Sequence, residues 1–239
     1  MGIEIVDGNI FTTSHQTIVN TVNCVGVMGA GIALECRLRY PAMFSKYCEI
    51  CRVGQLRPGV LWLYKGGSDS SDIDDRWVLN FPTKDNWKNP SKFEYLRWGL
   101  DKFLSTYREK GIESIAFPIL GGLNGGLDPE KVIDLMTEKL SGCAIPITIY
   151  RYSPTASDDL YSRFKEKLLH EDLDKVLKQV RIRKSIYTKV LEVLTHDNVC
   201  QMNQLAREPG IGIKTMEMLF KYVCLSNREG GLTQGEFEL

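Results

Sequence analysis

Histidine is scarce in this sequence. There are three in 239 residues, His15, His170 and His196, and none stands at metal-ligand or triad spacing from another. Metal-dependent chemistry therefore has little to build on, and no metal site is expected. An excess of one charge is missing too: 30 basic and 30 acidic residues cancel. Overall charge gives no sign of nucleic-acid binding, so any polyanion site must be a local patch. No apolar run is long enough to span a bilayer. The start, Met1-Gly2-Ile3-Glu4-Ile5-Val6, lacks the basic residues and apolar stretch of a secretory leader, which points to the cytoplasm and away from a membrane. The seven cysteines are odd in number and form no paired framework. Cys48-Glu49-Ile50-Cys51 has no second pair at zinc spacing and falls in a helical run, Ala42 to Val53. Free, partly buried thiols are expected there rather than a redox or metal centre. The chain is long enough to bury a core without such staples.

What is present is an alternation of strands and helices over the first ~150 residues. Ile3 to Val6 reads as an edge strand and the β-branched run Thr17 to Val22 as a buried one. A glycine loop leads into an apolar helix, Ile32 to Arg39, and Pro41 starts another. Val60 to Tyr64 and Trp77 to Phe81 read as strands around a polar loop, Gly66 to Asp72. Ser91 to Lys110 carries a helical stripe stopped by Gly111. Ile112 to Pro118 is a strand, Asp128-Pro129-Glu130 opens a helix to about Leu140 with Asp128 as its N-cap, and Ile145 to Tyr152 is the last strand. After Ser153-Pro154-Thr155-Ala156-Ser157 the pattern becomes helical: Asp158 to Val180, Ile182 to Leu194, Gln201 to Arg207 and Ile213 to Cys224, with a weakly patterned tail from Gly230. The expected division is 1–155 as an α/β domain and 158–239 as a small, mainly helical module that binds a partner or DNA.

Three stretches could carry chemistry. In the first, Asn20-Thr21-Val22-Asn23-Cys24-Val25-Gly26-Val27-Met28-Gly29-Ala30-Gly31-Ile32-Ala33, a strand opens into a glycine turn that feeds a helix. Glycines admit a phosphate to the backbone, and the helix N-terminus offers free N–H groups and a positive dipole. The same run also reads as a tight turn capped by asparagines. The second, Gly121-Gly122-Leu123-Asn124-Gly125-Gly126, follows another strand and precedes another helix, so the phosphate argument repeats. Two such loops at strand carboxyl ends suggest one crevice and a diphosphate. The third is Asn80-Phe81-Pro82-Thr83-Lys84-Asp85-Asn86-Trp87-Lys88. A lysine just beyond a strand end can face the crevice, where it could bind phosphate, stabilise leaving-group charge or act as a nucleophile; it could also be an ordinary surface lysine. Trp87 could stack a base or pack on the surface.

Taken together, Gly8-Asn9-Ile10, Asn20-Thr21-Val22-Asn23, Gly26-Val27-Met28-Gly29-Ala30-Gly31-Ile32-Ala33, Arg57-Pro58-Gly59, Asn80-Phe81-Pro82-Thr83-Lys84 and Asn124-Gly125-Gly126-Leu127-Asp128 closely resemble the DarG family of macro domains, antitoxin enzymes that remove ADP-ribose from DNA. The likeness covers roughly residues 1–152. It implies a three-layer α/β/α fold with a mixed sheet. It also implies Asn9 and Ile10 near adenine, and Gly29, Ala30, Gly31 and Ile32 with Gly121, Gly122, Leu123, Asn124 and Gly125 around the diphosphate. Asn20 and Asn23 are placed at the distal ribose, Thr83 is among the residues that bind ADP-ribose, and Lys84 matches the catalytic lysine. The partner toxin, DarT, modifies a base in single-stranded DNA, typically thymine. Leu123 stands where a glycine is usual, and Pro129 replaces an aromatic residue. The position of a loop aspartate used by a related hydrolase class is occupied by Gly125. The helical module resembles nothing identifiable.

The expected function is hydrolysis of the glycosidic bond between ADP-ribose and a DNA base, without cofactor, with Lys84 and Asn23 catalytic. Its partners would be ADP-ribosylated single-stranded DNA, ADP-ribose and a DarT-like toxin. Two rivals are a non-catalytic ADP-ribose reader and an antitoxin that sequesters the toxin through the helical module. In the helical module the basic run Lys175, Lys178, Arg181, Arg183, Lys184 and Lys189 reads either as a solvated helix face or, with a helix-turn-helix layout around Pro209-Gly210, as a grip on the DNA strand or the partner toxin, and an expected exposed apolar stripe of Leu219, Phe220 and Val223 favours the toxin.

Overall fold

The computed structural model describes residues 2–67 and 72–230. Part of the polar loop expected at 66–72, namely 68–71, and the tail beyond 230 lie outside the described residues. The chain divides into two compact units, one ending at Ser157 and one starting at Asp158.

The first unit contains β1 (Ile3–Gly8), β2 (Thr17–Val22), α1 (Gly31–Arg39), α2 (Pro41–Arg52), β3 (Trp62–Tyr64), β4 (Trp77–Pro82), α3 (Phe93–Lys110), β5 (Ile115–Pro118), α4 (Pro129–Leu140) and β6 (Ile147–Tyr152). The strands make one mixed sheet in the order β1-β6-β5-β2-β4-β3. β1, β6, β5, β2 and β4 run parallel, and β3 is the antiparallel edge. Helices cover both faces, as the resemblance implies.

The two-residue period of the buried strands builds two cores. Ile18, Val78 and Ala116 face the side of α1 and α2, with Cys36, Met43 and Tyr47. Val19, Leu79, Phe81 and Phe117 face the side of α3 and α4, with Leu96, Leu100 and Met136. Gly99 lets α3 close onto β4, because a side-chain carbon there would overlap the Phe81 ring.

Three strands begin later than the sequence pattern suggests, at Trp62, Ile115 and Ile147. For β5 the cause is helix closure. Gly111 is left-handed at φ 75, and the N–H groups of Gly111 and Ile112 return to Arg108 and Tyr107 carbonyls, so these residues terminate α3 instead of pairing with a strand. Asp72, expected in a polar loop, is buried and accepts a 2.5 Å hydrogen bond from the Tyr64 hydroxyl.

Among the described residues the regular elements of the second unit are all helices: α5 (Asp159–His170), α6 (Leu173–Val180), α7 (Lys184–Leu194), α8 (Met202–Leu205) and α9 (Ile213–Gly230). It corrects four expectations. The single helix foreseen from Asp158 to Val180 is two, because Asp172 turns inward as an N-cap and accepts from Lys175 N at 2.9 Å. The foreseen helix from Gln201 to Arg207 shrinks to the single turn α8 inside a Gln201–Gln204 capping box. Leu219, Phe220 and Val223 are buried rather than exposed; the Phe220 ring packs 6.2 Å from Phe164. These apolar side chains are the unit's own core. The basic run is also broken up, since Arg181 leaves α6 as a left-handed C-cap at φ 56 and Lys175 pairs with Glu171 at 2.6 Å.

Candidate functional site

β5, β2 and β4 are neighbouring parallel strands, so the loops leaving their carboxyl ends emerge side by side. These are the first glycine loop (23–30), the lysine loop (83–92) and the second glycine loop (119–128). The lysine loop is tied to both others. Thr83 N donates to Val22 O at 3.0 Å and Cys24 N to Asp85 O at 2.9 Å. On the other side Ser91 N donates to Gly125 O at 2.9 Å, and Lys84 Nζ donates to Asn124 O at 2.6 Å. The two glycine loops also touch each other: at Gly31, φ 55, a Cβ would lie 2.7 Å from Asn124 Nδ2. Lys84 therefore stands where the two loops meet.

The two helix N-termini differ. α1 starts at Gly31 behind Ala30, which has no side chain to cap it, so its first-turn N–H groups are available to an anion. α4 starts behind Asp128, whose carboxylate accepts from Glu130 N at 3.0 Å and Lys131 N at 3.3 Å. The phosphate argument made from sequence for both loops holds at the helix terminus only for the first. The second loop offers its glycine backbone, not a free helix end.

Asn23 is the organiser of the first loop. Its Oδ1 accepts from Val25 N at 3.1 Å, Val27 N at 3.3 Å and the Tyr47 hydroxyl at 3.2 Å, and its Nδ2 donates to Val27 O at 2.5 Å. Tyr47 also donates to Asn23 O at 2.8 Å. Under the second loop lies Ser91, whose buried hydroxyl has no partner among the described residues. A Cβ at Gly125 would strike Ser91 Oγ and Gly121 O, so no aspartate or other side chain fits there in this loop shape.

The thiols nearby are quiet. Burial, helped by Cys51 and Asp85, pushes Cys24 up to about 12, and burial likewise raises Cys48 and Cys51. None is a ready thiolate nucleophile. Among the described residues no group of three His, Cys, Asp or Glu could hold a metal ion.

Of the residues singled out from sequence, Asn23, Gly31, Thr83, Lys84, Gly121, Asn124 and Gly125 come together through these interactions. Gly29 and Ala30 are exposed in the first loop, Ile32 is half-buried in the first turn of α1, and Leu123 is 72% exposed. Gly122 forms a turn through its N–H to Ile119 O at 3.3 Å. Asn9 and Ile10 follow β1 at the same end of the sheet. Asn9 Oδ1 caps Phe11 N at 3.0 Å, while its buried Nδ2 has no partner among the described residues, a donor available to a ligand's ring nitrogen. Asn20 stands apart. It is fully buried on the α1–α2 face, where its Nδ2 donates to Asn80 Oδ1 at 3.0 Å. Tyr47 and Ser91 escaped the sequence reading: one looked like a core aromatic and the other like a helix start, and no local signal marks their partners 24 and 34 residues away.

Residues 19–136 match the macro domain family. The chain is 43% identical over 126 residues to the DNA ADP-ribosyl glycohydrolase of Mycobacterium tuberculosis, covering 52% of this chain and 35% of that protein. Among solved structures it resembles the macrodomain of Mycobacterium tuberculosis DarG with a TM-score of 0.59 and 38% identity, over 64% of this chain and all of that one. It also resembles Thermosipho africanus DarTG in complex with ADP-ribose, at 0.58 and 34%, over 64% of this chain and 42% of that one. The chain spans between 35% and 43% of the length of the curated relatives it matches.

Proposed function

This chain belongs to the macro domain family, among the DarG macrodomains, and on that premise we propose that it hydrolyses the glycosidic bond between ADP-ribose and a DNA base. The observation that carries the reading is the Lys84 Nζ–Asn124 O bond of 2.6 Å, which stations a cation at the junction of the two glycine loops. The uncapped start of α1 and the open backbone at Gly29 and Ala30 receive the diphosphate. The distal ribose then lies toward Lys84, where breaking the bond gives its anomeric carbon oxocarbenium character. Water adds to that carbon. The departing base leaves with the bonding pair and gains the water's proton, and the ammonium of Lys84 stabilises its charge. The reaction as written calls on no cofactor.

The preferred base is thymine and the strand single. The enzyme works in the cytoplasm, against a DarT-like toxin, as the naming of the Thermosipho africanus relative as DarTG suggests. Residues 1–155 would act as the hydrolase and 158–239 as a separate partner-binding module. The burial of Leu219, Phe220 and Val223 removes the apolar surface on which toxin sequestration by that module rested, and hydrolysis remains the better reading.

The test offers thymidine- and guanosine-modified ADP-ribosyl oligonucleotides to the parent chain and to Lys84→Ala. The parent should release the base, thymidine-modified strand first. The variant should not, while binding ADP-ribose within about tenfold of the parent. Near-normal turnover by Lys84→Ala would remove the assignment.

A further inference from the structure

Trp87 follows Lys84 by three residues and is 51% exposed, and Trp98 on α3 is 52% exposed. Between them in sequence lie two ring-and-cation pairs. Lys88 Nζ lies 5.5 Å from the centre of the Trp87 ring, and Lys92 Nζ lies 5.2 Å from that of Tyr95. The Tyr95 and Trp98 rings are 5.7 Å apart at a tilt of 36°. Lys92, Tyr95, Trp98 and Lys102 recur at helical spacing on the flank of α3 away from its buried stripe of Leu96, Leu100 and Phe103, a run of about 15 Å. Lys88, Lys92 and Lys102 are all exposed. Trp98 also packs against the turn at Gly59, where a Cβ would come within 3.1 Å of it, next to the exposed Arg57. Three carboxylates stand nearby: Asp101 holds Lys139 at 2.7 Å, Asp85 Oδ1 accepts from Asn86 N and Asn89 Nδ2, and the exposed Glu94 in the first turn of α3 acts on Lys92.

Exposed rings cost free energy unless something covers them. Alternating rings and lysines suit a chain that presents a planar apolar face and a phosphate at each step. A protein interface core is instead depleted in lysine. We propose that this flank, from Trp87 along α3 to Lys102, is a binding track for single-stranded nucleic acid, whose bases stack on Trp87, Tyr95 and Trp98 and whose phosphates meet Lys88, Lys92, Lys102 and Arg57. The proposal rests on the reading above only for where the strand enters, at Lys84. The track supplies the local positive patch that a chain of zero net charge needs in order to hold a polyanion.

The experiment measures fluorescence anisotropy of a labelled, unmodified oligothymidylate of about twelve nucleotides, titrated with the full chain over a range of salt. Trp98→Ala and Trp87→Ala should each weaken binding about tenfold or more, and Trp98→Phe should recover most of it. Lys92→Glu with Lys102→Glu should weaken binding and flatten its salt dependence by about one unit of slope for each phosphate no longer neutralised. ADP-ribose alone should bind these variants as it binds the parent. Unchanged oligonucleotide affinity in all of them overturns the track, and so does retained oligonucleotide affinity with loss of binding to a purified DarT-like transferase, which would make the flank a protein interface. Either result leaves the Lys84 test untouched, and failure of the Lys84 test leaves the track's own binding test standing.

Discussion

Asn23 was expected to contact the distal ribose, but its amide is already committed to four hydrogen bonds within the loop and to Tyr47. Asn23→Ala removes all four and leaves the Tyr47 hydroxyl its bonds to Asn23 O and to Cys51. Val25 and Val27 are exposed, so their freed backbone groups can turn to water, and each loss falls at the low end, about 0.5 kcal/mol. The total is about 2 kcal/mol, which in a domain of this size lowers Tm by roughly 4–8 °C. The loop proposed above to receive the diphosphate loosens, so KM should rise about tenfold, or ~1.4 kcal/mol, while kcat at saturating substrate stays within a few-fold of the parent. Differential scanning fluorimetry and a base-release assay on the full chain read both numbers. Unchanged Tm together with collapsed kcat would refute the organising role and return Asn23 to the reacting atoms. Tyr47→Phe should show the same signature in weaker form, because it deletes the outer of the two supports.

Gly29→Glu should fold normally, since a Cβ there meets only Val27 at 3.8 Å, yet lose ADP-ribose affinity through bulk and like charge; calorimetric affinity equal to the parent's would count against the diphosphate site. Gly125→Ala should destabilise by about 1–3 kcal/mol, because its methyl overlaps Gly121 O and Ser91 Oγ, and an unaltered melting curve would show that the loop relaxes freely. His15 Nε2 lies 2.8 Å from Thr148 Oγ1, and burial lowers its pKa despite the opposing pull of Glu4. The unfolded chain then takes the proton first, so the stability of the neutral ring is fully present above about pH 6.5 and is lost as pH falls through the lower folded value. His15→Gln should therefore lose less Tm than the parent between about pH 7 and pH 5, and equal losses would refute the linkage.

Much of the site was legible because its signals are local. A β-branched run ending at Val22, a glycine turn and an apolar helix are consecutive in sequence, and so are Phe81, Pro82, Thr83 and Lys84. Strand identity, the loop's place at a carboxyl end and the Asp128 cap all follow from neighbours a few residues apart. The helical module was less legible. Its stripe of Leu219, Phe220 and Val223 has the same pattern whether it faces solvent or a partner helix, and only packing against residues such as Phe164 decided that it faces inward. The break at Asp172 was hidden because an aspartate inside a polar helix face and an aspartate that caps a new helix look alike until the backbone turns.

By itself, the sequence determined two glycine loops after strands, a lysine beyond a third strand and the family these motifs belong to, because each rests on backbone preferences and spacings within one short segment. The tertiary structure alone decided which partner each polar group found. It turned Asn20 into the sheet beside Asn80, gave Asn23 to Tyr47, closed α4 against anions with Asp128 while leaving α1 open, and brought Lys84 onto Asn124 across 40 residues. Hydrogen bonds of that kind depend on register and on the meeting of distant loops, and no local pattern encodes either.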